Sequence, residues 1–248
     1  MVFVALNFAF WGSVETRQKL EVCRYKHAVE SSADSACKAV RYSDKHSLLA
    51  AGNGFGEGME SPLNIAIDKD NALRNFEKVL FGNLGITEEN TKSVFREKII
   101  LYVVIDFDGI YIKKGEGSWE TKDQFFTNIQ GEEYCLNFSE LLFRSKDGVW
   151  IEASKIIGFD QKMAKKKISS IISEKINNEL LKIASAEINT SKRYLTFFSD
   201  VTGESKEFNS FSGPGFLAIV DGIEIPGMNI TDRGNINIYS IGASDISK

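Results

Sequence analysis

Histidine is the scarcest reactive residue in this chain, with two in 248 residues, and cysteine and proline follow with three each. His27 and His46 have no partners at metal-ligand spacing, so a histidine metal site or a Ser-His-Asp triad would have to be built from these two alone. Most hydrolase and zinc chemistry is thereby disfavoured. Cys23, Cys37 and Cys135 are too few for a disulfide framework. On one continuous helix, Cys23 and Cys37 would stand about 21 Å apart at 1.5 Å per residue, too far to bond within a chain. Bonds between neighbouring chains stay open, beside the plainer expectation of three buried thiols. A basic excess is missing as well. A net charge of -4 and a pI near 5.4 argue against a nucleic-acid partner. The local cluster Lys162, Lys165, Lys166 and Lys167 reads as the solvated face of a helix.

A long hydrophobic run is lacking too. Residues 1–14, MVFVALNFAFWGSV, carry no charge, but a bilayer span needs about 20 predominantly apolar residues. The run has neither the basic leader nor the small-residue cleavage site of a signal peptide. Two placements stay open for it: a core helix, or the exit half of a membrane helix whose first turns precede this start. Its contacts, with a membrane or with a bundle, would be Val2, Phe3, Val4, Leu6, Phe8, Phe10, Trp11 and Val14.

The next thirty residues can extend the helix. From residue 15 to about 43 there is no glycine or proline. Val22, Tyr25, Val29, Ala33, Ala36 and Val40 recur at three- and four-residue spacing, one apolar stripe for helix packing. Ala28, Ser31, Ser32, Ser35 and Ala39 thin the middle of this helix and let another backbone approach closely. An amphipathic helix lying on its own domain is the alternative.

After the apolar start, the stretch CRYKHAVESSADSACKAV, with Ala28, Ser32, Ala33, Asp34, Ala36 and Ala39 in its small-residue pattern, resembles the N-terminal helix of TadE/TadG-like proteins, pseudopilin-related components of tight-adherence pilus systems. The segments NFEKVLFGNLGI, IILYVVIDFDGIYI and GFLAIVDGIEIPGMNITDRGNINIYSIGAS resemble the ectodomains of membrane proteins encoded with such systems in Gram-positive bacteria. The resemblance implies a non-enzymatic structural or assembly component in the cell membrane with an extracytoplasmic domain. Its partners would be other helices of a pilus-like assembly, copies of itself included, with no cofactor and no small-molecule substrate. Arg17, Lys19, Arg24 and Lys26 pull the other way, towards a cytoplasmic C-terminal domain, so the orientation stays open.

Residues 45–62 hold four glycines and end in a proline, a linker leaving the first helix. A second helix is predicted over 70–81, with Leu73, Phe76, Leu80 and Phe81 inward and Gly82 near its end, and a short third over 88–98 capped by Thr87. Runs at 99–106 and 110–113 around Asp108-Gly109 read as a hairpin. Residues 124–129 and 133–138 read as a second strand pair turning at Gln130-Gly131, and Lys146-Asp147-Gly148 as a turn before 149–153. Asp160 caps a long helix over 161–187, striped by Ile168, Ile171, Ile172, Ile176, Leu180 and Ile183. Strands at 193–199, 216–225 and 235–241 finish the chain. The fold class is α+β: a long N-terminal helix, then a mostly antiparallel sheet domain with helices packed on it. The division is 1–44 as anchor or bundle helix, 45–62 as linker and 63–248 as the α+β domain.

The sharpest chemical motif is Val103-Val104-Ile105-Asp106-Phe107-Asp108-Gly109. It resembles the first motif of haloacid-dehalogenase-type phosphatases, which implies Asp106 as a nucleophile and Asp108 as acid/base with magnesium. The family's next residue, threonine, is Ile110 here, and an Asp-Gly turn explains the same residues with no partners. The glycines from Gly52 to Gly58 lack the lysine and hydroxyl of a phosphate loop. Three functions are therefore carried forward: structural or assembly component, magnesium-dependent phosphatase, and soluble binding module.

Overall fold

The computed structural model of the chain describes residues 20–21, 23–42, 65–138, 141–186, 213–223 and 238–245. The uncharged run at 1–14, the linker at 45–62 and the expected strand at 193–199 lie outside the described residues.

The first helix, α1, covers the described residues of 20–37. It does not continue to 43. Lys38 turns, and Val40–Tyr42 form a strand, β1, paired antiparallel with β2, Ile65–Ile67. The Asp68 amide donates to the Ala39 carbonyl at 3.1 Å, which closes this pair. Asp68 then caps α2, Lys69–Leu84, accepting from the amides of Asp70 and Asn71 at 3.2 and 3.1 Å. The end of α2 also differs from expectation. Gly82 is helical, and Gly85, at φ 70°, makes the left-handed exit with its amide on the Gly82 carbonyl. The third helix, α3, runs Glu89–Arg96 after Glu88, so Thr87 is not its cap.

Five strands form the main sheet: β3 (Ile99–Ile105), β4 (Gly109–Lys114), β5 (Asp123–Gln124), β10 (Gly215–Ile223) and β11 (Ile238–Asp245), in the order β11-β10-β3-β4-β5. A four-stranded sheet holds β6 (Phe126–Ile129), β7 (Glu132–Cys135), β8 (Leu141–Arg144) and β9 (Val149–Glu152). Among the described residues every strand pairing is antiparallel. A 3-10 turn at Ala153–Lys155 leads to the last helix, α4, Gln161–Ala186. The chain is α+β, as its residue pattern implies.

The continuous apolar run of β3 reflects burial on both faces. Tyr102 and Val104 join Phe216 and Ala218 beneath α1 and α2. Leu101, Val103 and Ile105 face the other way, with Leu217 and Ile219, towards Ile168, Ile172 and Ile176 of α4 and Leu136 and Leu142 near the second sheet. A register shift between Ile219 and Val220 gives β3 one extra residue and turns Ile99 to the helix side. The main sheet is thus the middle layer of the molecule.

Candidate functional site

β3 ends at Ile105, and the chain reverses through Asp106, Phe107 and Asp108 into β4, the Asp106 amide donating to the Gly109 carbonyl at 2.8 Å. Phe107 is buried in the core and its carbonyl accepts from the Phe138 amide, so the turn is fastened from below. Gly109 pairs with Gln124 of β5. A Cβ at Gly109 would lie 2.7 Å from the Asp123 carbonyl oxygen. Only glycine lets the 122–124 segment come this close to the turn.

That approach delivers a residue that the sequence does not single out. Lys122 Nζ donates to Asp106 Oδ2 at 2.7 Å and makes a second direct contact with Asp108 Oδ1. Gln124 Nε2 donates to Asp108 Oδ2 at 3.2 Å. The ammonium also lies 5.8 Å from the Tyr111 ring centroid, and Lys69, at the start of α2, lies 5.0 Å from the same ring. Trp119 Nε1 donates to Asp70 Oδ1 at 3.0 Å, tying the β4–β5 connection to the same helix end. The Asp106 side chain keeps 5% of its exposure, Asp108 16% and Lys122 20%.

Burial alone would depress the Lys122 ammonium, but the charges of Asp106 and Asp108 outweigh it and hold the group above the ordinary lysine range. Burial raises the Tyr111 phenol, and the Lys122 charge offsets part of that rise. Cys135, whose thiol approaches the Asp108 carbonyl at 3.9 Å, is pushed up to about 12, chiefly by burial and then by the Asp108 charge. It is an inert, protonated thiol. Asp106 Oδ1 is buried without a hydrogen-bond partner among the described residues.

No known protein family matches the chain, and neither a curated protein nor a solved structure does. The motif's two aspartates are brought together, but on an antiparallel hairpin instead of the C-terminal edge of a parallel sheet. A lysine lies between them and offsets one of the two negative charges an incoming cation would meet. Among the described residues, no group of three His, Cys, Asp or Glu side chains could hold a metal ion. The cluster works as an internal tie between the β3–β4 turn and the segment entering β5.

The helix-packing stripe is also placed. Val29, Ala33 and Ala36 are fully buried, Tyr25 is partly so, and their neighbours are Ala72, Phe76, Leu80 and the main sheet of the same chain. Asn83 Nδ2 donates to Ser31 Oγ at 2.8 Å, and Arg24 donates to the Leu84 carbonyl at 3.2 Å, so α1 lies along α2. The small residues of α1 do admit a second helix, and that helix is the chain's own. Val40 belongs to β1, not to the helical stripe, and Val22 lies outside the described residues. So do Val2, Phe3, Val4, Leu6, Phe8, Phe10, Trp11 and Val14. Among the described residues no helix is long and apolar enough to cross a membrane. Cys23 is exposed, against the expectation of three buried thiols, while Cys37 and Cys135 are buried.

Lys122, Gln124, Tyr111 and Lys69 are the residues that sequence reasoning missed. Lys122 is 16 positions from Asp106, within an unpatterned TKDQ stretch. The one local signal is Gly109, whose missing side chain marks a close backbone approach.

Proposed function

We propose that this chain is a non-enzymatic structural or assembly component of a pilus-like or cell-envelope system. The uncharged run at 1–14 serves as its membrane attachment, and the body from α1 onward is an extracytoplasmic domain that meets partner proteins. The observation that carries the non-enzymatic part is Lys122 between Asp106 and Asp108, which uses the only sharp catalytic motif as a fold-internal ion pair. The attachment rests on the uncharged run and on the resemblance of the small-residue stretch after it. Long-helix continuity through 1–37 belongs to the same proposal. Fractionation of cells expressing the gene from its own locus tests it, with recovery in membranes expected. Recovery in the soluble cytosolic fraction would sink the attachment.

A second reading, a soluble binding module, draws support from α1 docking on its own α2 and sheet. The same fractionation separates the two. The phosphatase reading is tested by phosphate release from an aryl phosphate with magnesium. The proposal expects none, and release that disappears in Asp106→Asn would replace it with an enzyme.

A further inference from the structure

One segment of the chain carries charge of the opposite sign to the whole. Residues 153–168 hold five lysines and one acid, Asp160, in a chain of net charge -4. Asp160 is engaged as the cap of α4, accepting from the Met163 amide at 2.7 Å. Lys155 meets Glu152 at 3.6 Å across an exposed pair, so the excess of positive charge rests on the α4 lysines. Lys162, Lys166 and Lys167 are exposed in the first two turns of α4, the first two of them four residues apart on one strip. The first turn of α4 has no acidic residue. Cations at this end oppose the helix dipole, so their position is unfavourable to the fold.

Apolar side chains stand in the same place. Ile157, on the turn before α4, is 86% exposed, the most exposed of the large hydrophobic residues described, and Met163 is 50% exposed. The Gln130 side chain donates to the Ile157 carbonyl at 2.7 Å, fixing the turn from the β6–β7 side and leaving the side chain outward. Two isolated aliphatic tips are too little for a protein interface, which takes about 800 Å² per partner. Nucleic acid would leave them unmatched, because single strands stack on aromatic rings and base edges are read best by arginine. A lipid surface matches both components, with headgroup phosphates for the lysines and the acyl boundary for the aliphatic tips.

We propose that the face made by Ile157, Lys162, Met163, Lys166 and Lys167 docks on an anionic lipid surface. Ile157 and Met163 enter the headgroup boundary while the lysines hold the phosphates. The contact lies outside residues 1–14 and does not depend on them acting as an anchor.

The experiment is co-flotation of the full chain with vesicles of phosphatidylcholine alone or mixed with phosphatidylglycerol, at low and high salt. The expected result is stronger binding to the anionic vesicles that weakens with salt. Combined Lys162→Glu and Lys166→Glu should reduce that increment by at least about fivefold per lysine at low salt. Ile157→Ser should weaken anionic binding while leaving its salt dependence. These positions are exposed, so the variants keep the fold. Binding to neutral vesicles that the lysine changes leave untouched reports on 1–14 alone, which keeps the two membrane contacts distinguishable. Equal binding to both vesicles, or an anionic increment surviving in the lysine variant, overturns the proposal. So does binding to a soluble polyanion without binding to anionic vesicles.

Discussion

At the scale of single residues, Lys122 joins two shielded carboxylates, Asp106 and Asp108. Replacing it with methionine keeps most of the side chain's unbranched length and removes its charge, leaving Asp106 and Asp108 without a cation in a shielded turn. Breaking a buried pair from one side costs about 3–5 kcal/mol, and the partial exposure of Lys122 places the expected loss near the lower end, about 3 kcal/mol. Urea unfolding of Lys122→Met against the parent chain measures it. Adding Asp106→Asn should restore much of the loss, because the orphaned charge goes with it. A loss below about 1 kcal/mol would mean that water already screens the cluster. Cys135 supplies a pH signature. Its thiol is pushed from an ordinary value of 9.0 up to about 12, so the unfolded chain releases that proton first. The folded state then binds more protons than the unfolded one, and stability falls as pH rises from about 9 towards 12. Urea midpoints across that window should decline less steeply in Cys135→Ala than in the parent chain. A maleimide at neutral pH should label exposed Cys23 in the native protein well before Cys135.

At the scale of elements, the packing of α1 is limited by side-chain size. Ala33 and Ala36 are fully buried against α2 and the sheet. Ala33→Leu forces the helices apart and should cost about 1–3 kcal/mol by thermal or urea unfolding. The outward-facing Asp34→Leu should change stability by less than about 0.5 kcal/mol. The elements most legible in the sequence share this kind of local logic. α4 is readable because Asp160 caps it and an isoleucine stripe runs its length. The β6–β7 hairpin is readable because Gln130 and Gly131 take left-handed φ values of 56° and 86°. The end of α1 is not. Val40 continues a helical spacing, yet Val40, Arg41 and Tyr42 pair with Ile67, Ala66 and Ile65 across a long separation in the chain. Tertiary pairing there overrides local pattern. The candidate site divides the same way: Asp106 and Asp108 are visible as a motif, while Lys122 arrives only through the two-residue pairing of β4 with β5.

At the scale of the whole molecule, residues on both sides of the boundary expected at residue 44 belong to one core. Ala28, Val29, Ala33, Ala36, Cys37 and Ala39 share one core with α2, β3 and β10, and β1 pairs with β2 beyond the linker. Removing 1–44 would therefore strip one side of the main sheet and of α2, exposing Phe76, Leu80 and Phe81. Each large apolar side chain so exposed forfeits about 1.5–3 kcal/mol, and marginal domains hold only about 5–15 kcal/mol in all. The chain beginning at 45 should lose its cooperative transition and aggregate. The chain beginning at 15 separates the two placements of 1–14: if that run is a membrane attachment, unfolding stays near the parent urea midpoint, and if it is a core helix, the midpoint falls. Circular dichroism, urea unfolding and membrane fractionation of the two truncations give each a distinct signature. If the chain lacking 1–44 unfolds cooperatively at the parent midpoint, α1 is an appendage and the boundary read from the sequence stands. If only that truncation collapses, α1 is part of the body and is not itself the anchor.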